Sequence, residues 1–286
     1  MGKRLDRMLF PGGKAKALTL SYDDGVVQDR RLAALCRQYG VKCTFNLGSA
    51  VLGYRGSVPG PQGMPLDISK IPPEEVSALY AGQDIGGHGL CHSALNAVGT
   101  PLAVYEIIED RRRLEALTGR LVRMFAYPFG TFDRNVKEAL RLSGYEGART
   151  VRSTHSFTLP EDFLEWDPTC HHNDPALMDL AEQFCTGKSF GPALFFLWGH
   201  AYEFDGDGSW DVIEGFLEYT AAYGDSIWFA SNTEILDYVT SYRRLIYSAD
   251  GHLLYNPSAT DVWLSTGTDT LRLPAGCCTA IPETPL

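Results

Sequence analysis

Histidines and acids occur in this sequence at spacings that suit metal binding and proton transfer. His88 and His92 form an H-x-x-x-H pair, and this spacing places two imidazoles on one side of a helical turn, where they can share a metal ion. Asp23 and Asp24 are adjacent, and His200 follows an apolar run. Carboxylates and imidazoles are also the groups that most often move protons in catalysis. If the fold brings these residues together, they form one chemical site.

Strand-like and helix-like segments alternate from about residue 17 to residue 244. Apolar runs predict strands at residues 17–22, 42–47, 84–87, 121–127, 147–151, 163–169, 193–198 and 226–230. Helices are predicted at residues 29–39, from residue 72, and at residues 102–118, 133–143, 175–186, 210–223 and 233–242. The Gly/Pro-rich residues 53–65 predict a loop.

Strict alternation predicts parallel strands with crossover helices, and about eight strands favour closure into an α/β barrel. An open doubly wound sheet is the alternative, although no G-x-G-x-x-G motif follows the first strand. Beyond residue 244, short apolar runs separated by turn residues predict antiparallel strands. We therefore expect a barrel over residues 1–244 and a small β appendage packed on it over residues 245–286.

The predicted barrel places the reactive residues on one rim, because the carboxyl ends of parallel barrel strands converge there. Asp23 and Asp24 end the first predicted strand, and His88 and His92 follow the third. The fourth strand leads into Tyr127-Pro128-Phe129-Gly130, and the seventh delivers His200.

The order of these segments resembles the polysaccharide deacetylase family, the NodB-homology domain of carbohydrate esterase family 4. The resemblance covers roughly residues 15 to 244 and lies in Leu20-Ser21-Tyr22-Asp23-Asp24-Gly25, His88-x-x-x-His92, Tyr127-Pro128-Phe129-Gly130 and Leu197-x-x-His200. It implies a distorted (β/α) barrel of NodB type that removes N-acetyl groups, or cleaves related amides, with one divalent metal.

The resemblance implies Asp24, His88 and His92 as the metal ligands. Two neutral imidazoles and one carboxylate leave positions open for water and substrate, as a catalytic metal site requires. Zinc suits these ligand types, and cobalt, nickel or manganese can occupy the same set.

The resemblance also implies catalytic roles for residues beside the metal. Asp23 resembles the general base that takes a proton from water, and His200 resembles the general acid that protonates the departing amine. The backbone N–H of Phe129 matches the family's oxyanion donor.

The sequence departs from the family pattern at two places, which suggests an outlying subfamily. Ala126 occupies the position of an arginine that pairs with the general base, and we expect Arg149, on the next predicted strand, to replace it. The acid that supports the catalytic histidine is assigned to Asp174, whose alternative role is capping the helix that begins at Pro175. Asp162 imitates the family's local pattern but lies further upstream.

These features predict an enzyme that deacetylates an N-acetylated sugar or a short glycan. Two alternatives stay open: an amidase for a small non-carbohydrate amide or cyclic imide, and a catalytically silent carbohydrate-binding protein. The net charge of −10 argues against a nucleic-acid or anionic-membrane partner. The resemblance implies a small-molecule or oligosaccharide substrate. The oligomeric state stays open.

The seven cysteines contain no C-x-x-C spacing, so neither a zinc knuckle nor a disulfide framework is indicated. The charged N-terminal residues are not followed by an apolar signal-peptide core, and no run of about 18 apolar residues occurs. We therefore expect a cytoplasmic protein without a membrane span.

Overall fold

The computed structural model describes residues 7–189, 191–267 and 269–281. The strands in chain order are β1 (Arg7–Leu9), β2 (Lys16–Asp23), β3 (Cys43–Leu47), β4 (Ser57–Pro59), β5 (Pro65–Asp67), β6 (Asp84–Gly87), β7 (Met124–Ala126), β8 (Gly147–Arg149), β9 (Cys170–His171), β10 (Ala193–His200), β11 (Ile227–Phe229), β12 (Ile246–Tyr247), β13 (Leu253–Tyr255), β14 (Val262–Ser265), β15 (Thr270–Leu273) and β16 (Cys278–Ala280). The helices are α1 (Asp29–Tyr39), α2 (Pro73–Leu79), α3 (Thr100–Thr118), α4 (Arg134–Leu142), α5 (Leu177–Thr186), α6 (Ala201–Asp207), α7 (Trp210–Ala221) and α8 (Asn232–Arg243).

The main sheet contains eight strands in the order β8-β7-β6-β3-β2-β10-β9, with β11 also paired to β2. Every pairing in it is parallel. Its central strands are apolar and buried, and every residue from Ala17 to Asp23 in β2 is buried. Such continuous burial is typical of parallel strands covered by helices. The prediction of a parallel α/β barrel is confirmed.

The barrel is distorted where its edge strands approach each other. A backbone bridge links Arg149 of β8 to Trp166, and Thr150 N–H donates to the Trp166 carbonyl at 3.0 Å. The chain from Trp166 then leads into β9, which pairs with β10. This irregular segment therefore spans the gap between the two edges of the sheet.

Two predicted segments differ from the structure. The strand predicted at residues 163–169 is a 3-10 turn at Phe163–Glu165 followed by the two-residue strand β9, because the Asp162 side chain caps the turn by accepting from Leu164 N–H at 2.9 Å. The predicted loop at residues 53–65 contains most of a β4–β5 hairpin.

The sequence prediction missed two elements, α6 and β1. Helix α6 follows His200 without a loop, and its short sequence contains Gly206, which lowers helix propensity. Strand β1 pairs antiparallel with β14.

The C-terminal residues form two small antiparallel sheets, in the orders β1-β14-β15 and β12-β13-β16. They share a buried cluster of Leu254, Val262, Leu264, Leu273 and Ile281. The N-terminal strand therefore belongs to one of these sheets, while the domain boundary between residues 244 and 245 stays a prediction. No helix in the described part of the chain has the length and apolar character needed to cross a membrane.

Candidate metal-binding and catalytic site

The candidate site lies at the carboxyl ends of the barrel strands. Asp23 ends β2 and is paired in register with His200, which ends β10. His88 follows β6 directly. These residues lie at a cleft of about 410 Å³, lined by Asp23, Asp24, His88, His92, Tyr127, Phe129, Gly130, Val151, Trp198, His200 and Tyr202. The structure thus brings together all the predicted site residues except Asp174. Arg149 is fully buried beside Asp23 and does not line the cleft.

Asp24, His88 and His92 meet the geometric requirement for a shared cation. One ligand atom from each lies within 4.8 Å of the other two, and His92 Nε2 is 3.7 Å from Asp24 Oδ1. His88 Nδ1 lies 2.7 Å from the Ala126 carbonyl; as the donor in this bond, Nδ1 carries the proton and leaves Nε2 free to ligate. Burial, and then the neighbouring His88, lower the pKa of His92 to about 4, so its ring is neutral at pH 7. The donor set fits a divalent metal.

The backbone at the site adopts conformations that side chains usually avoid. Asp24, His92 and Phe129 have φ values of 82°, 57° and 58°. Each such residue costs on the order of 1–3 kcal/mol, which the surrounding structure must offset. This strain is concentrated at the cleft and aims the Asp24 and His92 side chains into it.

Two buried carboxylates on α3 hold the segment that carries the histidines. Asp110 accepts from the backbone N–H of His88 at 3.1 Å. Glu106 accepts from Cys91 N–H at 3.1 Å and from the Ser93 hydroxyl at 2.5 Å. The sequence analysis missed both acids, because they lie inside a helix and act on a distant loop.

Lys70 is a further residue that the sequence analysis missed. Its Nζ lies 3.3 Å from Asp24 Oδ1, and its side chain is largely buried. Burial raises the pKa of Asp24, but Lys70 and the nearby histidines outweigh this effect and lower it. No strand-end signal marks Lys70, since it follows the β4–β5 hairpin.

Asp23 is buried and held by two donors. Asn46 Nδ2 donates to Oδ1 at 2.8 Å, and Arg149 Nη2 donates to Oδ2. Arg149 is paired in register with Ala126 on the neighbouring strand, so the guanidinium reaches Asp23 from one strand further along the sheet than the family pattern implies. Its Cζ also lies 4.2 Å from the Trp198 ring.

The charge environment keeps Asp23 ionised. Burial raises the pKa of this carboxyl, but Arg149, followed by His88, His200 and the Asn46 amide, lowers it to about 2.

His200 faces Asp23 on one side and Glu203 on the other. Its Nε2 lies 3.9 Å from Asp23 Oδ2, the same oxygen that lies 3.9 Å from His88 Nε2. Its Nδ1 lies 3.3 Å from Glu203 Oε1. Burial lowers the pKa of His200, but the Glu203 and Asp23 carboxylates outweigh it and raise the pKa above the usual value.

The structure does not place Asp174 beside His200, so this assignment is corrected. Asp174 Oδ2 lies 2.6 Å from His155 Nε2, and its Oδ1 accepts from Ala176 N–H at 2.9 Å. Asp174 therefore stabilises the turn before α5, close to its alternative capping role. The acid beside His200 is Glu203. Helix α6 begins immediately after the histidine, so the side chain of Glu203, its third residue, lies next to His200.

Phe129 lies at the mouth of the cleft. Its side chain is 64% exposed, and its ring centroid is 4.5 Å from that of His92. The positive φ of Phe129 follows the conformationally fixed Pro128 and produces the tight turn after β7.

Comparison with known proteins agrees with this arrangement. The model of the polysaccharide deacetylase family matches residues 11–148, a range that includes the candidate metal ligands and ends one residue before Arg149. A search of curated proteins finds no match.

Solved structures also align with this chain. A putative polysaccharide deacetylase from Mycobacterium smegmatis superposes with a TM-score of 0.58 at 16% identity, over 83% of this chain and 94% of that chain. A CE4 family pseudoenzyme from Bacillus anthracis gives a TM-score of 0.49 at 17% identity, over 79% and 66% of the two chains. A family 4 carbohydrate esterase from Streptomyces lividans in complex with acetate gives 0.47 at 14% identity, over 75% and 92%. The first likeness shows a shared fold, and residues 11–148, a little under half of the chain, match the polysaccharide deacetylase family.

Proposed function

We propose that this protein is a divalent-metal-dependent hydrolase that removes N-acetyl groups from a sugar or a short glycan. The main support is one juxtaposition at the cleft. Asp23 Oδ2 lies 3.9 Å from both His88 Nε2, on the candidate metal side, and His200 Nε2, on the opposite side. A candidate base, a candidate acid and a candidate metal-ligand set therefore face the same part of the cleft, where an amide can bind and react.

Asp24, His88 and His92 would hold the metal. When bound there, a divalent cation supplies Lewis acidity that polarises the acyl carbonyl and makes a nearby water more acidic. The imidazole and carboxylate donors suit zinc, and cobalt, nickel and manganese are the other candidates.

Asp23 acts as the general base in this proposal. Its carboxylate is ionised at neutral pH, and Asn46 and Arg149 fix its orientation, so one proton can pass from the attacking water to an oxygen of known position. General-base catalysis of this kind contributes about 10²–10⁴-fold in rate.

His200 acts as the general acid. An amine leaves an acyl carbon readily only after it has been protonated, and the raised pKa of His200 favours the protonated imidazole that can donate this proton. The backbone N–H of Phe129, at the rim of the same cleft, would donate to the oxyanion of the tetrahedral intermediate.

A second candidate function is supported by the apolar rim of the cleft. Phe129 and Val151 are both exposed there, and Trp198 lines the wall. These side chains can stack on the apolar face of a sugar ring, but they can equally hold a small non-carbohydrate amide or cyclic imide.

The test combines metal analysis with product analysis. The purified protein, reconstituted with Zn²⁺ and separately with Co²⁺, Ni²⁺ and Mn²⁺, is assayed for acetate release from chitooligosaccharides and for hydrolysis of small amides and imides. Acetate release supports deacetylation, and hydrolysis of small amides alone supports the amidase. Glycan binding without hydrolysis of any substrate would contradict both.

Variants separate the roles within the site. His88→Ala should lose bound metal and activity, whereas His252→Ala, at an exposed histidine outside the site, should lose neither. Asp23→Asn and His200→Ala should keep the metal and lose turnover by about 10²-fold or more. Unchanged metal stoichiometry in His88→Ala would contradict the ligand assignment.

A further inference from the structure

The Glu203 carboxylate lies among three histidines. His171 Nε2 and His172 Nε2 lie 3.2 Å and 3.1 Å from Glu203 Oε2. His200 Nδ1 lies 3.3 Å from the other oxygen, Oε1. Burial raises the pKa of Glu203, but the three imidazoles outweigh it and hold the pKa far below its usual range. The carboxylate is therefore charged at neutral pH, and its two oxygens contact different histidines.

The hydrogen bond of His171 fixes where its proton lies. The backbone N–H of Asn173 donates to His171 Nδ1 at 3.1 Å. A nitrogen that accepts carries no hydrogen, so the neutral ring has its proton on Nε2, directed at Glu203. His171 is thus a donor to the carboxylate.

His172 is held rigidly beside it. Its ring is buried and packs against the rings of Phe204, with centroids 4.1 Å apart, and Tyr22, with centroids 5.6 Å apart. A Cβ on Gly199 would lie 1.9 Å from His172 Nδ1, so only glycine at that position leaves space for the ring. Neither ring nitrogen of His172, nor Nδ1 of His200, has a well-aligned hydrogen bond with any described residue. Glu203 is the charged group that both His172 Nε2 and His200 Nδ1 approach.

We propose that Glu203 is the positioning residue for His200: His171 and His172 fix one carboxylate oxygen, and the other holds the Nδ1–H of His200 so that Nε2 faces Asp23 and the cleft. The catalytic meaning of this arrangement rests on the proposed function of His200 as the general acid. The positions of the rings and their protons do not depend on that function.

Two other roles of Glu203 must be distinguished from positioning. Its carboxylate also accepts from the backbone N–H of His200 at 3.4 Å and so contributes to the start of α6. With His171 and His172 it also has the residue types and spacing of a metal site. A metal would need an unprotonated Nε2 on His171, and the bond from Asn173 places the proton there.

The first experiment compares two leaving groups on the reconstituted enzyme. An amide releases an amine that must be protonated, whereas p-nitrophenyl acetate releases a phenolate that leaves unprotonated. Glu203→Gln should lower kcat for the amide by about 10²-fold or more and leave kcat for the ester within a few-fold. Asp207→Asn removes the same charge from an exposed position of the same helix and should change neither. Equal losses on both substrates, or no loss on the amide, would overturn the proposal.

The second experiment is independent of activity. In protein labelled with ¹⁵N-histidine, long-range ¹H–¹⁵N spectra at mildly alkaline pH report which ring nitrogen of each neutral histidine carries the proton. His200, assigned by its absence in His200→Ala, should be protonated on Nδ1, and Glu203→Met should shift the population toward the Nε2–H form. An Nε2–H tautomer in the unaltered protein would overturn the proposal, even if the amide substrates prove not to be hydrolysed.

Metal analysis completes the test. One equivalent of metal in both the unaltered protein and Glu203→Gln agrees with a positioning role. A second equivalent that is lost in Glu203→Gln would assign the three-histidine cluster to metal binding and overturn the proposal.

Discussion

The buried ion pair between Arg149 and Asp23 predicts a large and strongly coupled effect on stability. Their side chains are 0% and 3% exposed, so neither charge can be solvated if its partner is removed. Arg149→Met keeps much of the apolar stem but removes the cation, leaving the Asp23 carboxylate with the neutral amide of Asn46 as a donor. Removing one member of a buried pair costs about 3–5 kcal/mol, and we expect the free energy of unfolding at pH 7 to fall by this amount.

A double-mutant cycle separates the pair from the loss of packing. Urea unfolding is measured on metal-free unaltered protein, Arg149→Met, Asp23→Asn and the double variant. The double variant contains neither charge, so its cost should be smaller than the sum of the single costs, with a coupling energy of about 2–3 kcal/mol. Arg152→Met is the matched control: this arginine is 68% exposed and contacts Asp167, and its replacement should change stability by about 0.5 kcal/mol or less.

The two arms of this test can fail separately. Additive costs, within about 0.5 kcal/mol, would refute the claim that the guanidinium compensates the buried carboxylate. In the kinetic arm, Arg149→Met should lower kcat by about 10- to 100-fold with the metal content unchanged, because the base loses its fixed orientation. If kcat is unchanged while the stability costs of the two single variants are coupled, the ion pair contributes to stability and not to catalysis.

Two further predictions concern stability. Burial raises the pKa of Asp29 to about 8, although Tyr80 donates to it; the folded state therefore favours the neutral acid, and stability should fall by up to about 1.4 kcal/mol per pH unit as pH rises from about 4 to about 8. Asp29→Asn should remove this slope in urea unfolding and be more stable than the unaltered protein at pH 8, whereas equal stability at pH 5 and pH 8 in both proteins would contradict it. Deletion of residues 245–286 removes the partner strand of β1 and the buried C-terminal cluster, so Tm should fall by about 5 °C or more and light scattering should detect aggregation. A monomeric truncation with unchanged Tm would show that the appendage is independent of the barrel.

The sequence predicted the features that depend on strand periodicity. Asp23 and His200 follow apolar runs long enough to be buried strands, and His88 follows the short strand predicted at residues 84–87. Parallel strands bring their carboxyl ends to one rim whatever the exact curvature of the sheet. The barrel prediction is confirmed for this reason. The catalytic and metal-binding roles of these residues stay predictions until metal and product are measured.

Residues that reach the site by tertiary packing could not be predicted in this way. Lys70 approaches Asp24 from the segment after a hairpin, and Glu106 and Asp110 reach the histidine segment from the middle of a helix. Their sequence neighbours give no signal of a partner. Asp174 shows the opposite error, since a family-like distance from His200 favoured an acid whose local role is to shape a turn.

Arg149 was predictable because Asp23 requires a cationic donor, and this requirement does not specify the motif position from which the donor must come. A buried carboxylate beside a candidate metal site needs a fixed cationic donor. The strand that carries this donor does not matter, provided that the guanidinium reaches the carboxylate. Ala126 and Arg149 are register partners on adjacent strands, so a long side chain on either can reach the same oxygen of Asp23. Glu203 relates to His200 in a similar way, supplying from the following helix a carboxylate that was sought upstream. In both cases the charge is retained while the residue that carries it has moved, so a missing motif residue is not by itself a sign of lost chemistry.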